Sequence, residues 1–283
     1  PMMARIWSAK KRIPFVLEVR DLWPQSFIDL NILPGWHPLI IAFSWIERYL
    51  YRRADHIIPL LQNAPDYIRR KSGGHAAMTV LPNMVDLTTL PEATASAKGK
   101  TLTLVYAGAF GVANDLWQIL SAAEMLKDDP DIRFQLIGNG DEKGRLIMAA
   151  KEKGLRNVEF IPGMDKDALV PFLHKADAFL LTLKDSPLWR WGISMNKLFD
   201  YMMMARPTIC CIHSPGNPLE RSGGGLMCRD DGGADMARAI RDLKAMSAKD
   251  RAEMGQKARA YVIDHHGLQP GMDRLEAVLK ELV

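Results

Sequence analysis

The chain has 283 residues, 48% of them hydrophobic and 25% charged, an ordinary globular composition with length enough for two domains. A net charge of +4 argues against a dedicated nucleic-acid binder, and three cysteines without metal-ligand spacing, two of them adjacent (Cys210 and Cys211), read as reduced core residues of a cytoplasmic protein. The longest apolar run, Leu39-Ile40-Ile41-Ala42-Phe43, is broken by Ser44 and closed by Glu47-Arg48, far short of a membrane span.

In chain order, residues 2–11 carry Met, Ile and Trp among basic residues and suit a short amphipathic helix. Residues 14–19 read as a buried strand ending in Arg20-Asp21-Leu22-Trp23-Pro24. Residues 38–53 place Leu39, Phe43, Ile46 and Leu50 at three- and four-residue steps, a helical face. Strands are expected at 54–60 and 79–83 with a helix between them, and the Ala-, Ser- and Thr-rich stretch 91–100 is the best linker. The chain thus opens in the middle of an α/β pattern, and a parallel sheet wants more strands. The N-terminal domain is therefore expected to be incomplete.

After the linker the pattern restarts. Strands are expected at 102–106, 133–137, 157–161, 178–182 and 207–211, with helices at 117–126, up to Lys153, and at 166–175. Strands alternating with helices argue for parallel, doubly wound sheets. The division is 1–95, a partial N-terminal Rossmann-like domain; 96–266, a C-terminal Rossmann-like domain; and 267–283, a helix returning to the first.

Glycines punctuate the strand ends at Gly108, Gly111, Gly138, Gly140 and Gly163, where an open α/β sheet binds its ligands. Neither a Walker A motif nor a dinucleotide fingerprint is present. The most informative stretch runs from Trp191 through Asn196-Lys197-Leu198-Phe199-Asp200 to Arg206-Pro207. It reads as a helix capped by Ser194, with Lys197 and Asp200 on one face near its start. Such a start suits a diphosphate, and a carboxylate one turn on suits ribose hydroxyls. The plainer reading is an N-cap followed by a surface Lys–Asp pair. Basic clusters at Arg5, Lys10, Lys11 and Arg12, at Arg48, Arg52 and Arg53, and at Arg69, Arg70 and Lys71 stand beside aromatic and aliphatic residues. They suit either an anionic lipid or phosphate-bearing partner, or solvated helix ends. His174, His213, His265 and His266 have no ligand spacing, and Met202 to Met204 read as core packing.

The segment from Ser194 to Met202 resembles the donor-binding helix of glycosyltransferase family 4, with Asp200 at its second acidic position. Further motifs follow in the family's order: Val19-Arg20-Asp21-Leu22-Trp23-Pro24, Tyr51 through Asp55, Pro82-Asn83-Met84-Val85-Asp86, Tyr106-Ala107-Gly108, Ile137-Gly138-Asn139-Gly140, Ala176-Asp177 and Gly223-Gly224-Gly225-Leu226. The likeness covers nearly the whole chain and is greatest to enzymes of bacterial O-antigen and capsule assembly that transfer N-acetylated amino sugars. It implies a GT-B fold of two Rossmann-like domains. It further implies retaining transfer from a nucleoside-diphosphate sugar, a UDP-sugar first, to a lipid-linked or polysaccharide acceptor in cell-surface glycan synthesis, lipopolysaccharide included. No bound metal and no nucleic acid are expected. The site residues it implies are Lys197 and Ser194 for the departing diphosphate, and Gly108, Gly111, Asn139, Gly140, Met164, Arg190, Gly192, Asn196, Lys197 and Asp200 for the donor. Gly192 stands where the family has its first acidic residue, eight positions before Asp200, so a carboxylate beside the donor sugar is missing. The expected location is cytoplasmic, peripheral at the inner face of the plasma membrane. Two alternatives stay open: a truncated donor-binding remnant without transfer, and a GT-B-fold sugar-nucleotide epimerase.

Overall fold

The computed structural model describes residues 1–74, 77–87, 100–229 and 232–282. Its first half holds a parallel sheet of three described strands, β1 (Val16–Val19), β2 (His56–Pro59) and β3 (Ala77–Met78), in that order. Helices α1 (Met2–Lys11), α2 (Gln25–Asp29), α3 (Pro38–Arg53) and α4 (Ala64–Ser72) surround it. The third strand falls two residues before the expected 79–83. The amides of Thr79 and Leu81 still bond to the Ile57 and Pro59 carbonyls at 3.1 and 3.0 Å, so pairing runs on past the strand proper. Leu81 in this tail is buried, while Met78 of β3 packs against the first half's core.

The second half is a six-stranded parallel sheet in the order β6-β5-β4-β7-β8-β9. The strands are β4 (Leu102–Ala107), β5 (Ile132–Ile137), β6 (Val158–Ile161), β7 (Ala178–Thr182), β8 (Thr208–Cys211) and β9 (Gly225–Met227). β9, short and opened by glycine, was not legible in the sequence. Helices α5 (Trp117–Met125), α6 (Lys143–Glu152), α7 (Lys166–Lys175), α8 (Asn196–Met203), α9 (Pro218–Ser222), α10 (Ala234–Ala245) and α11 (Ala248–His266) cover the sheet. Along β4 the side chains alternate between two cores: Leu104 and Tyr106 on one face, Val105 and Ala107 on the other. Burial on both faces is why this strand reads as a continuous apolar run.

The strand order reverses between β4 and β7, leaving a crevice beyond their carboxyl ends. Most of the linker expected at 91–100 lies outside the described residues. At the far end of the chain, α11 finishes at the expected crossover. The Val85 amide bonds to the His266 carbonyl at 2.8 Å, the Leu268 amide bonds back to Val85 at 2.9 Å, and α12 (Leu268–Leu282) follows.

Candidate active site

A cleft of about 770 Å³ opens beyond β4, β5 and β6, between the starts of α7 and α8. Strand-end backbones form its floor, and they come together because glycine leaves room: a Cβ on Gly138 would fall 1.9 Å from the Gly108 carbonyl. Of the residues expected at a donor site, Gly108, Asn139, Met164, Lys197 and Asp200 line this cleft.

Lys197 stands in the first turn of α8. Its Nζ donates to Asn114 Oδ1 at 2.8 Å and to Tyr106 Oη at 3.3 Å, and lies 5.0 Å from the centre of the Tyr106 ring. Among the described ion pairs none involves Lys197. Burial without a neutralising carboxylate lowers its pKa to about 8. The cation is thus held in a partly dry pocket with neutral oxygens only, and a Cβ on Gly108 would come within 3.1 Å of it. An anion entering here would offset the hydration that burial has removed from the cation.

One turn on, Asp200 pairs with Lys166 at 3.2 Å, linking α8 to the first turn of α7. Asp165 caps α7, its Oδ1 accepting from the Ala168 amide at 2.9 Å. Asn139 Oδ1 accepts from the Gly163 amide at 3.3 Å and from Lys143 Nζ at 3.1 Å, so the turns after β5 and β6 are joined. Tyr201 holds α8 against β4: its hydroxyl donates to the Ala107 carbonyl at 2.9 Å and accepts from the Ala107 amide at 2.7 Å. Its ring stacks on Phe179 at 4.4 Å.

The remaining expected residues lie elsewhere. Ser194 does not cap α8. Met195 is the extended N-cap residue without a side-chain bond, which leaves Ser194 one position outside the helix. Its Oγ accepts instead from the Asn83 amide at 2.8 Å, and its carbonyl accepts from Asn83 Nδ2 at 2.6 Å. Arg190 pairs with Asp29 of the first half at 2.8 Å and lies over the Trp191 ring. Gly192, at φ 105°, turns toward the first half, where a Cβ would meet the Gln62 amide at 3.1 Å. Asn196 is exposed and does not line the cleft. Gly111 borders a separate recess of about 130 Å³ beside Trp117 and Glu142, and Gly140 packs on the Phe110 backbone.

Sequence reasoning missed Tyr106, Asn114 and Lys166. Tyr106 and Asn114 are 91 and 83 residues from Lys197, and no local signal ties them to it. Among the described residues no group of three His, Cys, Asp or Glu is arranged to hold a metal ion, and no helix is long and apolar enough to cross a membrane.

Two parallel α/β units joined in this way, with a cleft beyond the strand ends of the second, are the GT-B fold of glycosyltransferases. Solved structures agree over almost the whole chain. HepE from Anabaena in complex with UDP superimposes with a TM-score of 0.78 at 15% identity, covering 98% of this chain and 75% of that one. Sucrose-phosphate synthase from Thermosynechococcus elongatus gives 0.74 at 16%, covering 98% and 70%. The family model "Glycosyl transferases group 1" matches residues 101–245, and "Glycosyl transferase 4-like domain" matches residues 1–84. The chain belongs to the group 1 glycosyl transferases. Among curated relatives, the putative colanic acid biosynthesis glycosyl transferase WcaI of Escherichia coli K12 is 37% identical over 81 residues, 29% of this chain and 20% of that protein. Glycogen synthase of Mycobacterium tuberculosis is 28% identical over 139 residues, 48% of this chain and 34% of that protein. The matches thus span about a fifth and a third of these relatives.

Proposed function

We propose that the cleft binds a nucleoside-diphosphate sugar, UDP-linked, and that the whole protein transfers the sugar with retention to a lipid-linked or polysaccharide acceptor in cell-surface glycan synthesis. The observation that carries this reading is Lys197, a half-buried cation at a helix start with no carboxylate partner among the described ion pairs, facing the cleft across a glycine. The amides of Asn196 and Lys197 at the start of α8 and the Lys197 ammonium would take up the charge of the departing diphosphate, electrostatic catalysis by groups already in place. Asp200 would accept from ribose hydroxyls, and the backbone at Gly163-Met164 would face the base. The scheme calls on no metal. The complex of HepE with UDP supports the choice of nucleotide, and the role in colanic acid biosynthesis given by the name of the putative glycosyl transferase WcaI supports a glycan acceptor. With Gly192 in place of a carboxylate and turned away from the cleft, the donor sugar would be held by other groups.

Peripheral contact with an anionic membrane completes this reading. α3 exposes Leu39, Ile41, Phe43, Trp45, Ile46 and Tyr49, together with Arg48, Arg52 and Arg53, while its one acid, Glu47, is buried. α1 packs beside it and exposes Met3, Ile6, Trp7, Lys10 and Lys11. Aromatic and aliphatic groups interleaved with cations are the composition of a helix that lies in a lipid interface. In the third basic cluster, Lys71 pairs with Glu47 and Arg69 with Asp66, so two of its three charges already have acidic partners.

A second reading, donor binding without transfer, is favoured by β1, an edge of a sheet with three described strands. Thermal stabilisation by UDP, GDP, ADP and TDP tests the site. A UDP-selective gain of about 2.7 kcal/mol at a hundredfold excess over Kd is expected, and it should be lost in Asp200→Ala. No response to any nucleotide would refute the site. Product analysis with and without acceptor separates transfer from binding alone and from epimerisation, and the anomeric configuration of the product tests retention.

A further inference from the structure

We infer that Asp29, in the half of the molecule away from the cleft, is a positioning residue for the diphosphate end of the donor site. This rests on the nucleotide reading above. α8, which carries Lys197, is reached through residues 186–195, a segment held by both halves: Trp189, Ile193 and Met195 pack against the second half's core, while Leu188, Arg190, Trp191 and Ser194 are tied to the first. Trp191 is buried in the first half's core, with its ring 5.2 Å from Tyr67. The carbonyls of Arg190 and Trp191 accept from Asn63, and Ser194 is bonded twice to Asn83.

Asp29 supplies the charged point of this attachment. Its carboxylate is 3% exposed. Oδ1 accepts from Arg190 Nη2 at 2.8 Å and Gln25 Nε2 at 2.7 Å, and Oδ2 accepts from Trp191 Nε1 at 2.9 Å. A buried carboxylate tolerates little displacement of its donors, because moving one leaves charge uncompensated. Arg190 and Trp191 are therefore set by Asp29, and Lys197 follows Trp191 by six positions, with Ser194 between them bonded twice to Asn83. A small shift of the helix start would move the ammonium out of register with a diphosphate while leaving the strand-end backbone, where a nucleoside would lie, in place.

Asp29→Asn keeps the volume and removes the charge. The test is calorimetric titration of wild type and variant with UDP and with uridine. UDP affinity is expected to fall about tenfold while uridine affinity holds. Arg190→Gln, at a half-exposed partner, should act in the same direction and guards against a variant that fails to fold. Equal losses for UDP and uridine, or an unchanged UDP affinity in folded protein, would overturn the positioning role. A wild-type chain that binds uridine but not UDP, or binds neither, would defeat the nucleotide-diphosphate reading itself and this inference with it.

Discussion

Lys197 concentrates the chemistry of the cleft in one side chain. Its pKa of about 8 lies below the ordinary lysine value because burial disfavours the cation. Between about pH 8 and 10 the unfolded chain therefore binds more protons at this position than the folded one, and stability rises with pH across that window. Below pH 8 the full cost of the buried charge is present. Lys197→Met is expected to be more stable than wild type at pH 7 by about 1–3 kcal/mol, with the advantage fading as pH approaches 10. Urea denaturation at the two pH values measures this. A variant less stable than wild type at pH 7 would mean that Asn114 and Tyr106 already satisfy the cation. A bound diphosphate should raise the pKa again, so UDP binding near pH 8.5 is expected to take up protons, which titration in buffers of different ionisation heat would record.

At the scale of elements, α8 matters because it carries both Lys197 and Asp200, and two of its attachments bear on the cleft. Its start hangs from the first half through Ser194 and Trp191. Its middle is held to β4 by Tyr201, whose hydroxyl serves both the amide and the carbonyl of Ala107. Tyr201→Phe keeps the ring on Phe179 and leaves those two buried backbone groups without this partner. The expected loss is about 1–3 kcal/mol of stability, read as a lower melting temperature. A variant as stable as wild type would show that the sheet and the stacked rings suffice to seat the helix.

For the molecule as a whole, the apolar and basic face of α1 and α3 belongs to the half that does not contain the cleft. Such a division would let one half meet a lipid-bound acceptor while the other carries the sugar. Vesicles containing anionic lipid are expected to co-sediment the protein at low salt and to release it as salt screens the charges. Replacing Arg48, Arg52 and Arg53 together with Gln should remove most of the binding. Undiminished sedimentation of that variant would reassign the face to another partner.

The sequence by itself determined the alternation of strands and helices, the two α/β units, the strand-end glycines and the placement of Lys197 and Asp200 three residues apart on one stretch of helix, though Asp200 pairs with Lys166 and not with Lys197. These are local properties, set by periodicity, by apolar runs and by residues three positions apart. Its motifs also carried the family. Tertiary structure alone decided who meets Lys197, since Asn114 and Tyr106 reach it only through the order of the strands. Ser194 looked like a cap because a serine before a helix usually is one, yet an extended Met195 and the proximity of Asn83 gave it a different bond. Arg190 and Gly192 lie within a few positions of Lys197 in sequence and still face the other half, because Trp191 between them is drawn into that half's core. Neighbours along a chain share a site only while the backbone between them keeps its direction, and here one buried indole turns it away.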